Sequence, residues 1–349
     1  MTITAPARTT TGSDFAVLSR RIAAEDLMRR RPGYYLVRLS VVALMFVGGW
    51  TAFAVIGPSW WQLLTAVFLA IAFTQVALVA HDLAHRQVFR TKRPSEILGR
   101  LVGNLGIGMS YGWWMDKHTR HHNNPNHDDL DPDVAPEVLI WATESALGRR
   151  GLKGFITRHQ AALFFPLLTL LGIDLKVSSV KALRRGVVKR RGLESALLIL
   201  HAAAYLSAVL IVLSPLQAVA FVLVHQALFG VYLGMTFAPN HKGMPHPTGA
   251  EDFLRKQVVT SRNVRGGWLT DAALGGLNYQ IEHHLFPGMP SPNLRKAQPI
   301  VEAYCAEIDV PYEQTSLLES YRQALRHLHQ VSAPARLEHA ARKVATADA

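Results

Sequence analysis

Two long stretches of the chain carry no charged side chain. Residues 39–80 contain no Lys, Arg, Asp or Glu, and neither do residues 195–241. A helix needs about 20 apolar residues to cross a hydrocarbon core of about 30 Å, and each stretch holds two such lengths. The breaks fall where a hairpin needs them, at Gly57-Pro58-Ser59 and at Ser214-Pro215. The pattern predicts four spans in two hairpins, near residues 39–56, 60–80, 196–213 and 215–238. The alternative, buried helical hairpins of a soluble protein, fits poorly with two charge-free stretches of this length. Two further apolar stretches, 98–114 and 155–173, are interrupted by glycines or by Arg158, His159 and Pro166. They are expected to lie in the membrane interface as amphipathic or re-entrant segments.

Charge then orients the spans. The chain has a net charge of +12, and all 37 Lys and Arg lie outside the four predicted spans. Neither hairpin loop contains one, so the rule that basic residues stay cytoplasmic places both loops outside. Both termini and everything between the hairpins are then cytosolic. Arg29, Arg30 and Arg31 before the first span fit this orientation, as does the cluster from Lys181 to Arg191 before the third. Such segments attract anionic headgroups, and the alternative is an acyl carrier's phosphates. No basic–aromatic stripe of a nucleic-acid reader is present. Residues 1–38 read as a partly disordered cytosolic arm without the apolar core of a signal peptide. The stretch after Ser332 reads as a frayed tail. One cysteine, Cys305, excludes an internal disulfide and Cys-ligated zinc or iron–sulfur clusters.

The chemistry is in the histidines. His81 and His85 form H-x-x-x-H, His118, His121 and His122 form H-x-x-H-H, and Gln280, His283 and His284 form Q-x-x-H-H. His241 follows Asn240 alone. On a helix, positions three or four apart share a face, so each cluster aims its imidazoles one way. Neutral imidazole binds Fe, Cu, Ni or Zn, and one structural zinc takes only four ligands. Seven clustered histidines plus one exceed that need and suit two metals held close together. A lone pair of this kind occurs by chance on any apolar helix; three clusters together do not. The predicted topology puts all eight at one membrane face, His81 and His85 at the end of the second span and His241 just past the fourth. His201 and His225 fall inside spans. His225 is 16 residues before His241, about 24 Å of helix, which points to interhelical hydrogen bonding rather than metal. His127 and His246 match no ligand position and read as surface residues or as support for the clusters.

The sequence resembles the membrane fatty-acid desaturase family, in particular its front-end, linoleoyl-CoA desaturase-like type. The resemblance rests on His81-Asp82-Leu83-Ala84-His85, on the run from Trp113 to Asp133 with Pro125, Asn126 and Pro132, and on Leu277-Asn278-Tyr279-Gln280-Ile281-Glu282-His283-His284-Leu285-Phe286-Pro287. It covers roughly residues 35–305. Gln280 stands where many acyl desaturases have His and is typical of the front-end type. The resemblance implies an all-α integral membrane protein: four transmembrane helices in two hairpins, interfacial helices, and a cytosolic helical cap around a diiron site. It implies a cytosolic arm (1–38), a desaturase domain (39–305) and a C-terminal helix and tail (306–349). It carries two irons onto His81, His85, His118, His121, His122, His241, His283 and His284, with Asn240 and Gln280 as possible ligands or supporting groups. An amide oxygen is the weaker iron ligand. Asp82, Asp116, Asp131, Asp133 and Glu282 are candidates to hydrogen-bond the ligand imidazoles.

The activity implied by the resemblance is O2-dependent insertion of a cis double bond into a fatty acyl chain, as acyl-CoA or acyl-lipid, with no bound haem or flavin. Many front-end desaturases carry a fused cytochrome b5 with a His-Pro-Gly-Gly motif, which is not found in these residues. Electrons are expected from a separate ferredoxin-like or cytochrome b5-like donor and its reductase. Lys117, Arg120, Lys242, Arg262 and Arg265 are candidates to dock it. A fatty acyl, sterol or carotenoid hydroxylase or ketolase on the same scaffold is the alternative that ligand spacing leaves open. A metal transporter would need a polar path through the spans, and a zinc hydrolase would need H-E-x-x-H. Neither feature is present.

Overall fold

A computed structural model describes residues 13–347 of the chain. Helix α1 (Asp14–Ala24) precedes α2 (Pro32–Ile56) and α3 (Gln62–Ala84), the first apolar hairpin. Then come α4 (Lys92–Arg100), a π-helical stretch (Leu101–Gly106) and α5 (Tyr111–Asn123). Helices α6 (Gly151–Leu168) and α7 (Leu171–Arg185) lead to the second apolar hairpin, α8 (Arg191–Val212) and α9 (Pro215–His241). Short helices α10 (Phe253–Val259), α11 (Trp268–Leu274) and α12 (Gln280–Leu285) precede α13 (Ser291–Glu307), α14 (Leu317–Val331) and α15 (Ala333–Ala347). Strands β1 (Asn263–Arg265) and β2 (Gln314–Ser316) pair in parallel, Val264 opposite Thr315, a small addition to the all-α expectation.

Helices α2, α3, α8 and α9, of 25, 23, 22 and 27 residues, are each long and apolar enough to span a bilayer. Their turns are built as the sequence predicts. Gly57 ends α2 at φ 64, and Ser214 and Gln217 form a capping box ahead of Pro215 at the start of α9. The inner ends run longer than the predicted spans. Helix α3 continues to Ala84 and α9 to His241, so the first histidines sit on the last turns of membrane helices. Helix α2 begins at Pro32 and takes Arg38 into its first turns, where Asp82 of α3 lies 3.5 Å away and balances the charge.

Helix α3 is the core of the bundle, with α2 and α9 packed along it around Phe53, Phe73, Phe221 and Phe229. Helix α8 is the most peripheral span, with only 11% of its apolar window buried in the protein. The stretch predicted as interfacial or re-entrant, 155–173, becomes α6 and α7, bent by 87°. The bend sits against α9 because two glycines let backbones touch. A Cβ on Gly230 would lie 2.4 Å from the Leu168 carbonyl, and one on Gly172 2.6 Å from that of Gln226. His201 and His225 hydrogen-bond as expected of intramembrane histidines: His225 Nδ1 to the Tyr205 hydroxyl at 2.8 Å, between α9 and α8, and His201 Nδ1 to the Leu105 carbonyl at 2.9 Å.

Two expectations about the termini are corrected. Within the arm read as partly disordered, residues 14–24 form α1, whose Leu18 and Ile22 are buried against α10 and α13 and whose Arg21 pairs with Glu307. Its apolar face is short, and only tertiary packing stabilises so short a helix. Residues 1–12 of that arm lie outside the described residues. The tail read as frayed is α15, which buries Ala335 beside Ile140 and Val331.

Candidate metal centre

Four elements carry the eight histidines to one place. The last turn of α3 presents His81, with His85 at its cap. Helix α5 presents His118, His121 and His122, and its first turn is tightly held. Ser110 caps the helix by accepting from the Trp113 N–H. Glu194 of α8, fully buried, accepts from the Ser110 hydroxyl at 2.6 Å and the Gly112 N–H at 3.1 Å. The end of α9 supplies His241, and α12 supplies Gln280, His283 and His284.

The histidines sort into two groups. The ring nitrogens of His81, His85, His118, His122 and His283 lie within 4.8 Å of one another, and so do those of His121, His241 and His284. His122 and His284 join the groups, stacked at 4.2 Å between centroids. Nitrogens face nitrogens throughout. Nε2–Nε2 distances are 2.8 Å for His85–His118, 3.1 Å for His118–His122, 3.2 Å for His122–His283, 3.3 Å for His121–His241 and 3.0 Å for His241–His284.

Tautomers in the three-histidine group follow from the outer hydrogen bonds. His121 Nδ1 meets Asp131 Oδ2 at 2.9 Å, His241 Nδ1 meets the Thr260 carbonyl at 3.0 Å, and His284 Nδ1 meets Gln257 Oε1 at 2.8 Å. The Gln257 amide cannot turn without losing the bond from its Nε2 to the His122 carbonyl, 2.8 Å. All three partners are acceptors, so each Nδ1 carries the proton and each Nε2 points a lone pair inward. The side-chain amide that faces these lone pairs is Gln280, whose Nε2 is 2.9 Å from His241 Nε2. Converging lone pairs repel unless a cation sits among them, so the donor set fits a bound metal. In the five-histidine group, His81 Nε2 is buried without a hydrogen-bond partner, as are His122 Nδ1 and His283 Nδ1.

Electrostatics agree. Burial, and after it the neighbouring imidazoles, push His85, His118, His122, His283 and His284 well below the ordinary histidine range, so they stay neutral and able to ligate. Burial is the largest influence on Asp131 and would raise it, but the His121 hydrogen bond and the nearby Lys242 charge act together to hold the carboxyl below its usual range. Asp133 is held low against burial by the Lys117 ammonium, with Lys242 beside it.

The other sequence candidates divide. Asp131 and Asp133 reach the site through His121, at 2.9 and 3.5 Å. Asp82 lies 3.7 Å from His81 Nδ1, beyond hydrogen-bond reach, and accepts from Ser291 instead. Asp116 is on the outer face of α5 and pairs with Arg120. Glu282 is fully buried but turns away from the histidines, accepting from Asn263 and Tyr312 at 2.7 Å each; burial pushes it up to about 7. Asn240 donates to Gln280 Oε1 at 3.1 Å, and its own Oδ1 is buried without a partner.

Of the five basic residues expected on a docking face, Arg120 and Arg265 are exposed. Arg262 is not: it is fully buried. Its guanidinium donates to the carbonyls of Pro239 and Lys242 at 2.7 and 2.8 Å and to Gln323, closing the end of α9 beside His241. Free carbonyls at a helix end attract a buried cation, which is why this arginine folds inward. Lys117 and Lys242 are also engaged, both on Asp133, with Lys242 Nζ 4.3 Å from the Trp141 ring centroid. They border a cavity of about 260 Å³ whose polar end holds His118, His121, His241 and Gln280. From there Trp113, Trp114, Leu171, Leu175, Leu233 and Phe237 line it between α5, α7 and α9.

Sequence reasoning misses Gln257, the Thr260 carbonyl and Asn126. Asn126, at φ 58, donates from its side chain to the His241 carbonyl at 3.1 Å and from its backbone N–H to Asp131 Oδ2 at 2.8 Å. Its place in the Pro125-Asn126 pair is visible in the sequence. Gln257, far from every histidine cluster along the chain, gives no signal there.

Four apolar membrane helices and a buried polyhistidine centre at their common end define a membrane protein with a metal-type site. The family model for fatty acid desaturases matches residues 58–316, and the chain belongs to that family. It is similar to an acyl-lipid (9-3)-desaturase of Physcomitrium patens, 30% identical over 341 residues. It also resembles fatty acid desaturase 3 of Bos taurus, 30% identical over 337 residues, and a Delta(6)-fatty-acid desaturase of Caenorhabditis elegans, 27% identical over 335. These alignments cover 94%, 93% and 90% of this chain, and 64%, 74% and 74% of the relatives.

Proposed function

We propose that the protein is an O2-dependent desaturase that places a cis double bond in a fatty acyl chain bound in the apolar cavity. The observation that carries this reading is the convergence of three histidine lone pairs with fixed tautomers beside five more imidazoles, at the polar end of a cavity walled by Trp, Leu and Phe. His81, His85, His118, His122 and His283 would hold one iron, and His121, His241 and His284 the other, with Asn240 and Gln280 supporting the second. Iron supplies the oxidising strength, with O2, that no side chain possesses for taking hydrogen from a methylene.

The chain's own residues do the rest. Asp131, Gln257 and Thr260 keep three imidazoles aimed inward. Trp113, Trp114 and Phe237 exclude water and fix the acyl chain against the histidines. Lys117, Asp133 and Lys242 put charge at the same end, where a polar head group would stop entry. Electrons come from a carrier protein, with the exposed Arg120 and Arg265 as the basic residues placed to meet it. The centre and both termini face the cytosol, as the basic residues outside the hairpin loops favour.

The test is expression with a ferredoxin or cytochrome b5 and its reductase, followed by mass spectrometry of the lipids. Loss of two hydrogens from an acyl chain, dependent on O2 and on His284, is expected. Gain of one oxygen instead would replace desaturation by hydroxylation.

A further inference from the structure

A second concave site lies behind α5, on the side away from the histidines. It is a cleft of about 370 Å³ between the end of α3, α4, α5 and the start of α8. The acids on its lining are already used. Glu96 pairs with Lys92 and Arg100, Asp116 with Arg120, and Glu194 with Arg100 and the first turn of α5. Among the described residues, the cations Arg86, Lys189 and Arg190 have no ion-pair or hydrogen-bond partner, so the cleft keeps an excess of positive charge.

The cleft does not end there. It shares Glu96, Arg100 and Arg190 with a groove of about 320 Å³. Arg93, also without a partner among the described residues, stands at that groove, and its remaining lining is Ile97, Leu101, Leu193 and Leu197. Ile97, Leu101 and Leu193 are 51%, 43% and 48% exposed, Leu193 on the span least covered by protein. Free cations therefore meet an apolar groove at the point where α8 enters the membrane. That order of charge and hydrocarbon is the order within a phospholipid.

We propose that this cleft and groove bind one anionic glycerophospholipid, its phosphate among Arg86, Arg93, Lys189 and Arg190 and an acyl chain along Ile97, Leu101, Leu193 and Leu197. The lipid would brace the outer face of α5, whose inner face carries three of the histidines. The inference rests on the spans and not on the desaturase reading, because it can be measured without turnover. A protein carrier fits less well, since exposed leucines continue the site toward the bilayer.

The experiment is native mass spectrometry of the full, delipidated chain with phosphatidylglycerol or phosphatidylcholine added. Preferential retention of phosphatidylglycerol is expected. A basic residue near an anionic lipid surface contributes roughly fivefold in affinity, so Arg93→Glu with Arg190→Glu should weaken retention by at least about 25-fold. Both side chains are exposed and unpartnered, so the double variant should fold. Leu175→Trp, which fills the cavity beside the histidines, should leave retention intact. Equal retention of the two lipids would overturn the proposal. So would displacement by millimolar inorganic phosphate, which would mean a site for free phosphate. Loss of retention in Leu175→Trp would place the lipid in the other cavity and overturn it too. Unchanged retention in the double variant, with a raised requirement for an acidic electron carrier, would make this a protein-docking surface instead.

Discussion

Gln257 should control metal affinity although it touches no metal-facing nitrogen. Its Oε1 accepts the His284 Nδ1 proton at 2.8 Å, and its Nε2 donates to the His122 carbonyl at 2.8 Å. Gln257→Leu removes both bonds, while Gln257→Glu removes only the second. Losing the outer partner of a ligating histidine costs about 10- to 100-fold in metal affinity. Leaving the His122 carbonyl unpaired costs about 1–3 kcal/mol of fold stability, and both variants bear it. Unfolding midpoints should therefore fall in both proteins, further in the leucine variant because the His284 Nδ1–H also loses its acceptor, whereas iron retained against a graded chelator should collapse only in the leucine variant. Turnover should follow iron. If Gln257→Leu keeps iron as tightly as the native chain, this bond does not set the tautomer of His284, and the three lone pairs do not converge on a metal.

His122→Ala and His284→Ala should each lower iron content and abolish turnover, because these stacked rings join the two groups; a fully active variant at normal expression would remove either from the ligand set. Arg262→Ala should destabilise the fold by roughly 3 kcal/mol or more, since it leaves several buried carbonyls unpaired, and thermal unfolding measures this. It should not alter the salt dependence of electron transfer, whereas Arg265→Glu on the surface should weaken donor coupling most at low salt. In a Cys305→Ala background, cysteine at exposed Ser214 should label from outside the cell and cysteine at exposed Ala303 should not. Outside labelling at Ala303 would reverse the proposed orientation.

The features legible in the sequence are local or periodic. The four spans follow from missing charge, the hairpin turns from Gly57 and from Ser214-Pro215, and the grouping of histidines from spacing of three and four. Their meeting in space follows from counting spans. The features hidden from it depend on contacts between distant segments. Arg262 reads as a surface cation because nothing nearby in sequence announces the α9 carbonyls that bury it. Glu282 sits between Ile281 and His283 and reads as a partner for a histidine, yet α12 turns its carboxylate toward Asn263 and Tyr312. Helix α1 escapes notice because its apolar residues are too few to form a helix alone and gain stability only against α10 and α13.

Those hidden contacts share a purpose. Apolar packing against lipid fixes how deep a helix sits only loosely, since any leucine in the bilayer resembles the next. A metal centre built from four elements needs their ends registered to a fraction of an ångström. Each end is tied by a buried polar contact that lipid cannot replace. Glu194 holds the first turn of α5, and Arg262 closes the last turn of α9. Asn263 Oδ1 receives the Ile281 N–H at the start of α12. At the end of α3, Asp82 receives Ser291 from α13, and Arg38 of α2 stands beside it. Removing one of these ties shifts a whole element, so its cost should appear as lost metal before it appears as lost helix. The spans thus set the level of the centre in the membrane, and a few buried polar side chains set its geometry.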